Sequence, residues 1–99
     1  MAKRQLIWSQ VATIKLFEIL DYFRERNGSD VYSKKLYKKI VRASSVLPKQ
    51  PYVGVKTDYD GIRALIVENY FLFYEFTDTQ IIIHTVWDSR QNPNNLNLK

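Results

Sequence analysis

Few side chains in this 99-residue chain can move protons or hold reacting charge. Its single histidine, His84, can exchange a proton near neutral pH. Arg63, Tyr74, Trp87 and Arg90 share the C-terminal half with it. No acidic residue is marked out by spacing to orient the imidazole, so His84 reads more readily as a packed or surface residue than as a general base. One histidine without cysteine cannot assemble a metal site. The absence of cysteine also excludes a disulfide framework, an iron-sulfur cluster and a thiol nucleophile, and it fits a reducing, cytoplasmic setting. No glycine-rich phosphate loop, serine elbow or isolated carboxylate pair stands out. The pattern argues against small-molecule enzymology and calls for no cofactor.

Charge points instead to a partner. Residues 1–50 hold eleven Lys and Arg against four acids, whereas residues 51–99 hold four against six. Much of the surplus is a stripe, Lys34, Lys35, Lys38, Lys39 and Arg42, whose members fall on adjacent turns of one helix side. No acid lies between Val31 and Lys49, so the stripe is expected to lack intrahelical partners. Such a stripe is either a solvated face or a docking surface for nucleic acid or an acidic protein segment.

The elements that must position these residues follow from periodicity. Residues 4–9 read as a short strand, with Leu6 and Trp8 on one side and Gln5 and Ile7 on the other, and Ser9 is placed to cap a helix over 10–26. Leu16, Ile19, Leu20 and Phe23 gather on one face of that helix. Val11, Ile14, Phe17 and Tyr22 fall outside that face, so this helix is apolar on more than one side, which suits a second helix or a groove for a partner helix. Asn27-Gly28 stops the first helix, and Ser29 or Asp30 caps a second that runs to about Leu47, ahead of Pro48. The short link makes the two helices an antiparallel hairpin. Residues 49–60 read as an irregular connection.

Three runs rich in β-branched and aromatic residues then follow, 62–68, 70–77 and 80–87, with turns at Asn69 and at Asp78-Thr79. The expectation is an α+β fold in which a two-helix hairpin covers one face of an antiparallel meander. Leu6, Leu16, Leu20, Phe23, Leu36, Ile40, Leu65, Val67, Leu72, Ile82 and Val86 are its expected core. Length allows one domain over 1–99, with residues 89–99 a loosely ordered tail. Three apolar residues near the N-terminus make no signal peptide, and the run Tyr70–Tyr74 is far short of the roughly twenty residues of a membrane span. No membrane association is expected.

This order of elements resembles the RelE/ParE superfamily of toxins from bacterial type II toxin–antitoxin modules, and the likeness extends to residues. Ile7-Trp8-Ser9, Ile19-Leu20-Asp21-Tyr22, Gly61-Ile62-Arg63-Ala64-Leu65 and Glu68-Asn69-Tyr70-Phe71-Leu72-Phe73-Tyr74-Glu75 all look like ParE-type members. The closing Val86-Trp87-Asp88-Ser89-Arg90-Gln91-Asn92-Pro93 is similar to the end of many plasmid-stabilisation proteins, so the resemblance spans about 5–96.

The resemblance implies a growth-arresting toxin neutralised by a cognate antitoxin, with two possible targets. The ParE branch poisons DNA gyrase, and the RelE branch cuts messenger RNA on the ribosome. By position, Phe71 stands where RelE-like nucleases carry an arginine, and Leu96 stands near their C-terminal catalytic residue. The catalytic candidates left are Arg63 and Arg90 as charge stabilisers and His84 as acid or base. That set is incomplete, which favours a ParE-like toxin acting by binding gyrase. A ribosome-dependent nuclease or an inactive homologue is the alternative. Val11, Ile14, Phe17 and Tyr22 are then the expected antitoxin-binding residues.

Overall fold

A computed structural model describes residues 4–90. In chain order the elements are β1 (Gln5–Trp8), α1 (Gln10–Asn27), α2 (Val31–Ser44), β2 (Val55–Lys56), β3 (Arg63–Val67), β4 (Tyr70–Phe76) and β5 (Gln80–Asp88). They form a five-stranded mixed sheet ordered β1-β5-β4-β3-β2. β1 runs parallel to β5 and every other pair is antiparallel. The expected α+β architecture is present, and β2 is an added edge strand where only an irregular connection was expected. The tail expected to be loose lies, from residue 91 onward, outside the described residues.

Local chemistry sets the helix limits. The Ser9 side chain accepts from the Ala12 amide at 3.0 Å and donates to the His84 carbonyl at 2.9 Å, capping α1 and tying its start to β5. Gly28, at φ 65°, ends α1 in the left-handed region that a side chain disfavours. α2 stops at Ser44, three residues short of expectation. There Ser44 and Ser45 turn their hydroxyls back onto the carbonyls of Val41 and Arg42, and a series of turns carries the chain to Pro48. Asn69 lies in the turn between β3 and β4 as expected, and its neighbour Glu68 takes the left-handed conformation there, at φ 55°.

Both helices cover one face of the sheet. Leu16, Leu20, Leu36 and Ile40 from the helices meet Leu72, Tyr74, Ile81, Ile83 and Val86 in the main core. Ile81 and Ile83 are sealed there, while the expected Ile82 is only half-buried on the opposite face. The cause is a bulge. Phe73 pairs with Thr85 and Tyr74 with Ile83, which leaves His84 as the extra residue. One inserted residue inverts strand alternation, so Val86 joins Ile81 and Ile83 instead of Ile82. Leu6, Phe23 and Leu65, also expected in the core, flank it half-buried.

The open face holds a smaller cluster in which Ile62, Ala64 and Phe73 are buried beneath Tyr59, Phe71 and Trp87. The connection before it is held by one buried tyrosine. The Tyr74 hydroxyl donates to the Pro51 carbonyl at 2.7 Å and accepts from the Gly54 amide at 2.9 Å. Any side chain at position 54 would put its Cβ 2.6 Å from that hydroxyl, so the close approach requires glycine.

Candidate functional site

The three catalytic candidates occupy different places. Arg63 opens β3 opposite Tyr74, hence on the helix-covered side. Its guanidinium donates to the carbonyls of Gly54 at 2.7 Å and Tyr52 at 3.3 Å, and it lies 5.1 Å from the Tyr52 ring. Arg63 therefore braces the 51–54 loop. His84 sits in the β5 bulge on the open face, with Nε2 2.9 Å from Glu75 Oε1. The sequence showed no acidic orienter for this ring, and β4 supplies one. Arg90 lies just past β5, with Nε and Nη2 on the two oxygens of Asp88 at 3.0 and 2.8 Å. That fork holds the Asp88 carboxyl below the ordinary aspartate range and raises Arg90 in turn. No two of the candidates share a face at one end of the sheet.

The open face is poor in positive charge. Ala64 and Ile66 on β3, Phe71, Phe73 and Glu75 on β4, and Ile82, Thr85 and Trp87 on β5 point outward by register, joined by Ile62 just ahead of β3 and the bulge residue His84. None of these positions is a lysine or arginine. Phe71, at the position where the resemblance places a nuclease arginine, packs edge-on to Phe73 with ring centres 6.0 Å apart.

α1 is flanked by two concavities, each of about 410 Å³. The first lies between α1 and α2. Phe17, Leu20 and Tyr37 form its apolar wall, with Arg24, Lys34 and Lys38 at its lip. The rings of Phe17 and Tyr37 are stacked with centres 6.4 Å apart. The second lies between α1 and the end of β5, where Tyr22 and Tyr70 meet Arg26 and Arg90. Val11, Ile14, Phe17 and Tyr22 are all exposed, yet they line no single groove, since Phe17 belongs to the first concavity and Tyr22 to the second.

The basic stripe is exposed along α2 but only partly free. Lys34 pairs with the preceding Asp30 at 3.3 Å, and Lys39 reaches Glu68 in the β3–β4 turn, which raises the Lys39 ammonium above its ordinary value. Lys35, Lys38 and Arg42 have no acidic partner among the described residues. Both partners come from outside the helix body, Asp30 from the N-cap position one turn before the run and Glu68 from another element.

Residues 6–93 match the sequence profile of the ParE toxin of the type II toxin–antitoxin system parDE. This chain belongs to the ParE toxin family. Its fold is similar to that of a chain in the chromosomal ParDE system from Pseudomonas aeruginosa, at a TM-score of 0.77 and 20% identity over 87% of this chain and 96% of that one. The Escherichia coli DinJ-YafQ complex follows at 0.57 and 14%, over 88% and 93%. The YoeB dimer from Staphylococcus aureus follows at 0.54 and 22%, over 85% and 94%. No curated protein sequence matches the chain. Among the described residues, no helix is long and apolar enough to cross a membrane, and no acidic, histidine or cysteine cluster could hold a metal ion. For a ParE-family chain, the features that the sequence concealed are long-range ones. The Glu75–His84 pair and the Arg63 brace both depend on strand register, which no local spacing reveals.

Proposed function

We propose that this chain arrests growth by binding DNA gyrase and is neutralised by a cognate antitoxin. The observation that carries the target reading is the dispersal of Arg63, His84 and Arg90 over both faces and both ends of the sheet, with no lysine or arginine among the described residues of the open face. Metal-free cleavage of RNA needs a charge stabiliser within reach of the same phosphate as its acid and base. Here Arg63 is spent on loop carbonyls and Phe71 offers no charge. A target bound as protein makes no such demand.

The antitoxin reading rests on the groove between α1 and α2, where Phe17 and Tyr37 stand beside Lys34 and Lys38. An amphipathic acidic helix fits that combination, its apolar side meeting the rings and its charge steered by the stripe. The ParDE and DinJ-YafQ structures are of toxin–antitoxin systems, which supports a partner of this kind. Co-expression with the product of the adjacent gene should give one complex on size exclusion, and Phe17→Glu should break it.

Purified protein should inhibit gyrase supercoiling or trap cleavage complexes, and should leave messenger RNA on translating ribosomes intact. The Glu75–His84 pair favours the nuclease alternative because it gives the imidazole a carboxylate. Codon-positioned cleavage reduced about a hundredfold or more by His84→Ala would overturn the gyrase reading.

A further inference from the structure

The concavity between α1 and the end of β5 contains an unusual tyrosine. Tyr70 is only 3% exposed, yet it lines that cleft. Its hydroxyl has no hydrogen-bond partner among the described residues. None of their side-chain polar atoms sealed from solvent lacks a partner, so this hydroxyl opens into the cleft. Burial is the main cause that raises the Tyr70 phenol above its ordinary value, with Asp88 next, so it remains a donor at neutral pH.

Other donors line the same cleft. The Arg90 fork is fixed on Asp88 through Nε and Nη2, which leaves Nη1 uncommitted and the Asp88 charge offset. Arg26 engages only Tyr22, donating to its hydroxyl at 3.2 Å with the guanidinium 6.0 Å from the ring centre. Lys15 has no acidic partner among the described residues, and Glu18 is the one carboxylate of the lining without a cation. Cations therefore exceed acids, beside an apolar wall of Ile19, Phe23 and Val86 and the exposed Tyr22 ring. At about 410 Å³ the cleft exceeds what a bare anion fills and lies within the range of small-molecule sites.

We propose that this cleft binds a nucleotide, with its phosphate taken by Arg26, Arg90 and the Tyr70 hydroxyl and its base laid against Tyr22 and Phe23. Guanidinium forks match phosphate oxygens, and aromatic faces accept any base by stacking. The groove beside the α2 stripe also has an apolar wall, but its buried hydroxyl, Ser33, is spent on the Leu20 carbonyl at 2.6 Å, so no uncommitted buried donor stands there beside the lysines. This inference goes beyond the gyrase reading and stands or falls separately from it.

The test is an NMR titration of the full-length labelled chain with adenosine 5′-monophosphate, guanosine 5′-monophosphate, adenosine, inorganic phosphate and a short single-stranded oligonucleotide. Either mononucleotide should shift the resonances of Tyr22, Phe23, Arg26 and Tyr70, and should bind about tenfold or more tighter than phosphate or adenosine alone. Tyr70→Phe and the exposed Arg26→Ala should each weaken binding by about tenfold, the loss of one charge-assisted hydrogen bond, while Lys38→Ala on α2 leaves it unchanged. Binding of mononucleotides alone points to a free nucleotide, and equal binding of the oligonucleotide to a nucleotide within a strand; both support the cleft. Shifts confined to Lys35, Lys38 and Arg42, phosphate binding as tightly as the nucleotides, or no shift at all would overturn the proposal.

Discussion

On the helix-covered face of the sheet, Leu72, Tyr74, Ile81 and Ile83 are sealed from solvent, whereas on the open face the same strands leave Phe71, Ile82 and Trp87 half-buried and Ile66 57% exposed. Both faces are apolar, so hydrophobic content does not separate them. What separates them is cover. Two helices bring Leu16, Leu20, Leu36 and Ile40 onto one side, whereas among the described residues Tyr59 from the 57–61 turn is what packs over the other. The covered face thus carries the stability of the fold. Among the described residues the open face keeps one ionisable pair, Glu75–His84, without a lysine or arginine paired to it.

The largest effect expected from this contrast is in the core. Leu72→Ala should destabilise the protein by about 2–5 kcal/mol through lost burial and a cavity. Ile66→Ala, at a far more exposed position, should change stability by about 0.5 kcal/mol or less. Urea unfolding of the two variants measures both, and equal losses would break the comparison. Gly54→Ala comes next. Its Cβ would lie 2.6 Å from the Tyr74 hydroxyl and 2.9 Å from the Ala64 carbonyl, and the backbone cannot give way easily. A cost of about 1–3 kcal/mol is expected, as for overpacking elsewhere in cores, read by the same denaturation curves.

The covered face was the legible one. Ser9, the Asn27-Gly28 stop and the spacing of Leu16, Leu20, Leu36 and Ile40 are local signals, and the hairpin with its meander follows from them. The β5 bulge was not legible, because His84 and Thr85 carry no glycine or other mark of an inserted residue, and the face of Ile82 was misassigned with it, while Val86 lies in the core as expected. The same shortfall hid the site. Glu75 meets His84 only once the β4–β5 register is set, and Gly54 meets Tyr74 across a loop that sequence reads as irregular. Charge pairs such as Lys39 with Glu68 span 29 residues and leave no pattern along the chain. The resemblance supplied family and fold, but the fate of each arginine waited on which backbone carbonyls lay beside it.

Open-face chemistry should matter little for stability. His84 and Glu75 are partly exposed, and an ion pair or hydrogen bond at such a site contributes about 0–1 kcal/mol. His84→Ala is therefore expected to unfold within about 1 kcal/mol of the parent in a thermal or urea experiment. A much larger loss would show that the bulge is held by this pair rather than by the backbone around it.

The smallest effect is expected at the rim, where the covered face ends. Asp88 lies on the covered side by register, opposite Tyr70, but its partner Arg90 is well exposed, so the pair belongs fully to neither face. Hydrogen bonds from Arg90 hold the folded carboxyl below the ordinary aspartate value of 3.8. A carboxyl whose folded pKa lies below its unfolded one contributes stability that is complete above the unfolded value and is lost as pH falls through the folded value. Near neutral pH Asp88→Asn should thus be slightly less stable than the parent in urea. The gap should narrow as pH falls below 3.8 and close once pH is below the folded value, where both chains carry an uncharged group at that position. Solvent screening of Arg90 keeps the gap small. A gap that persists unchanged into strong acid would mean that Asp88 acts through packing on Tyr70 rather than through its charge.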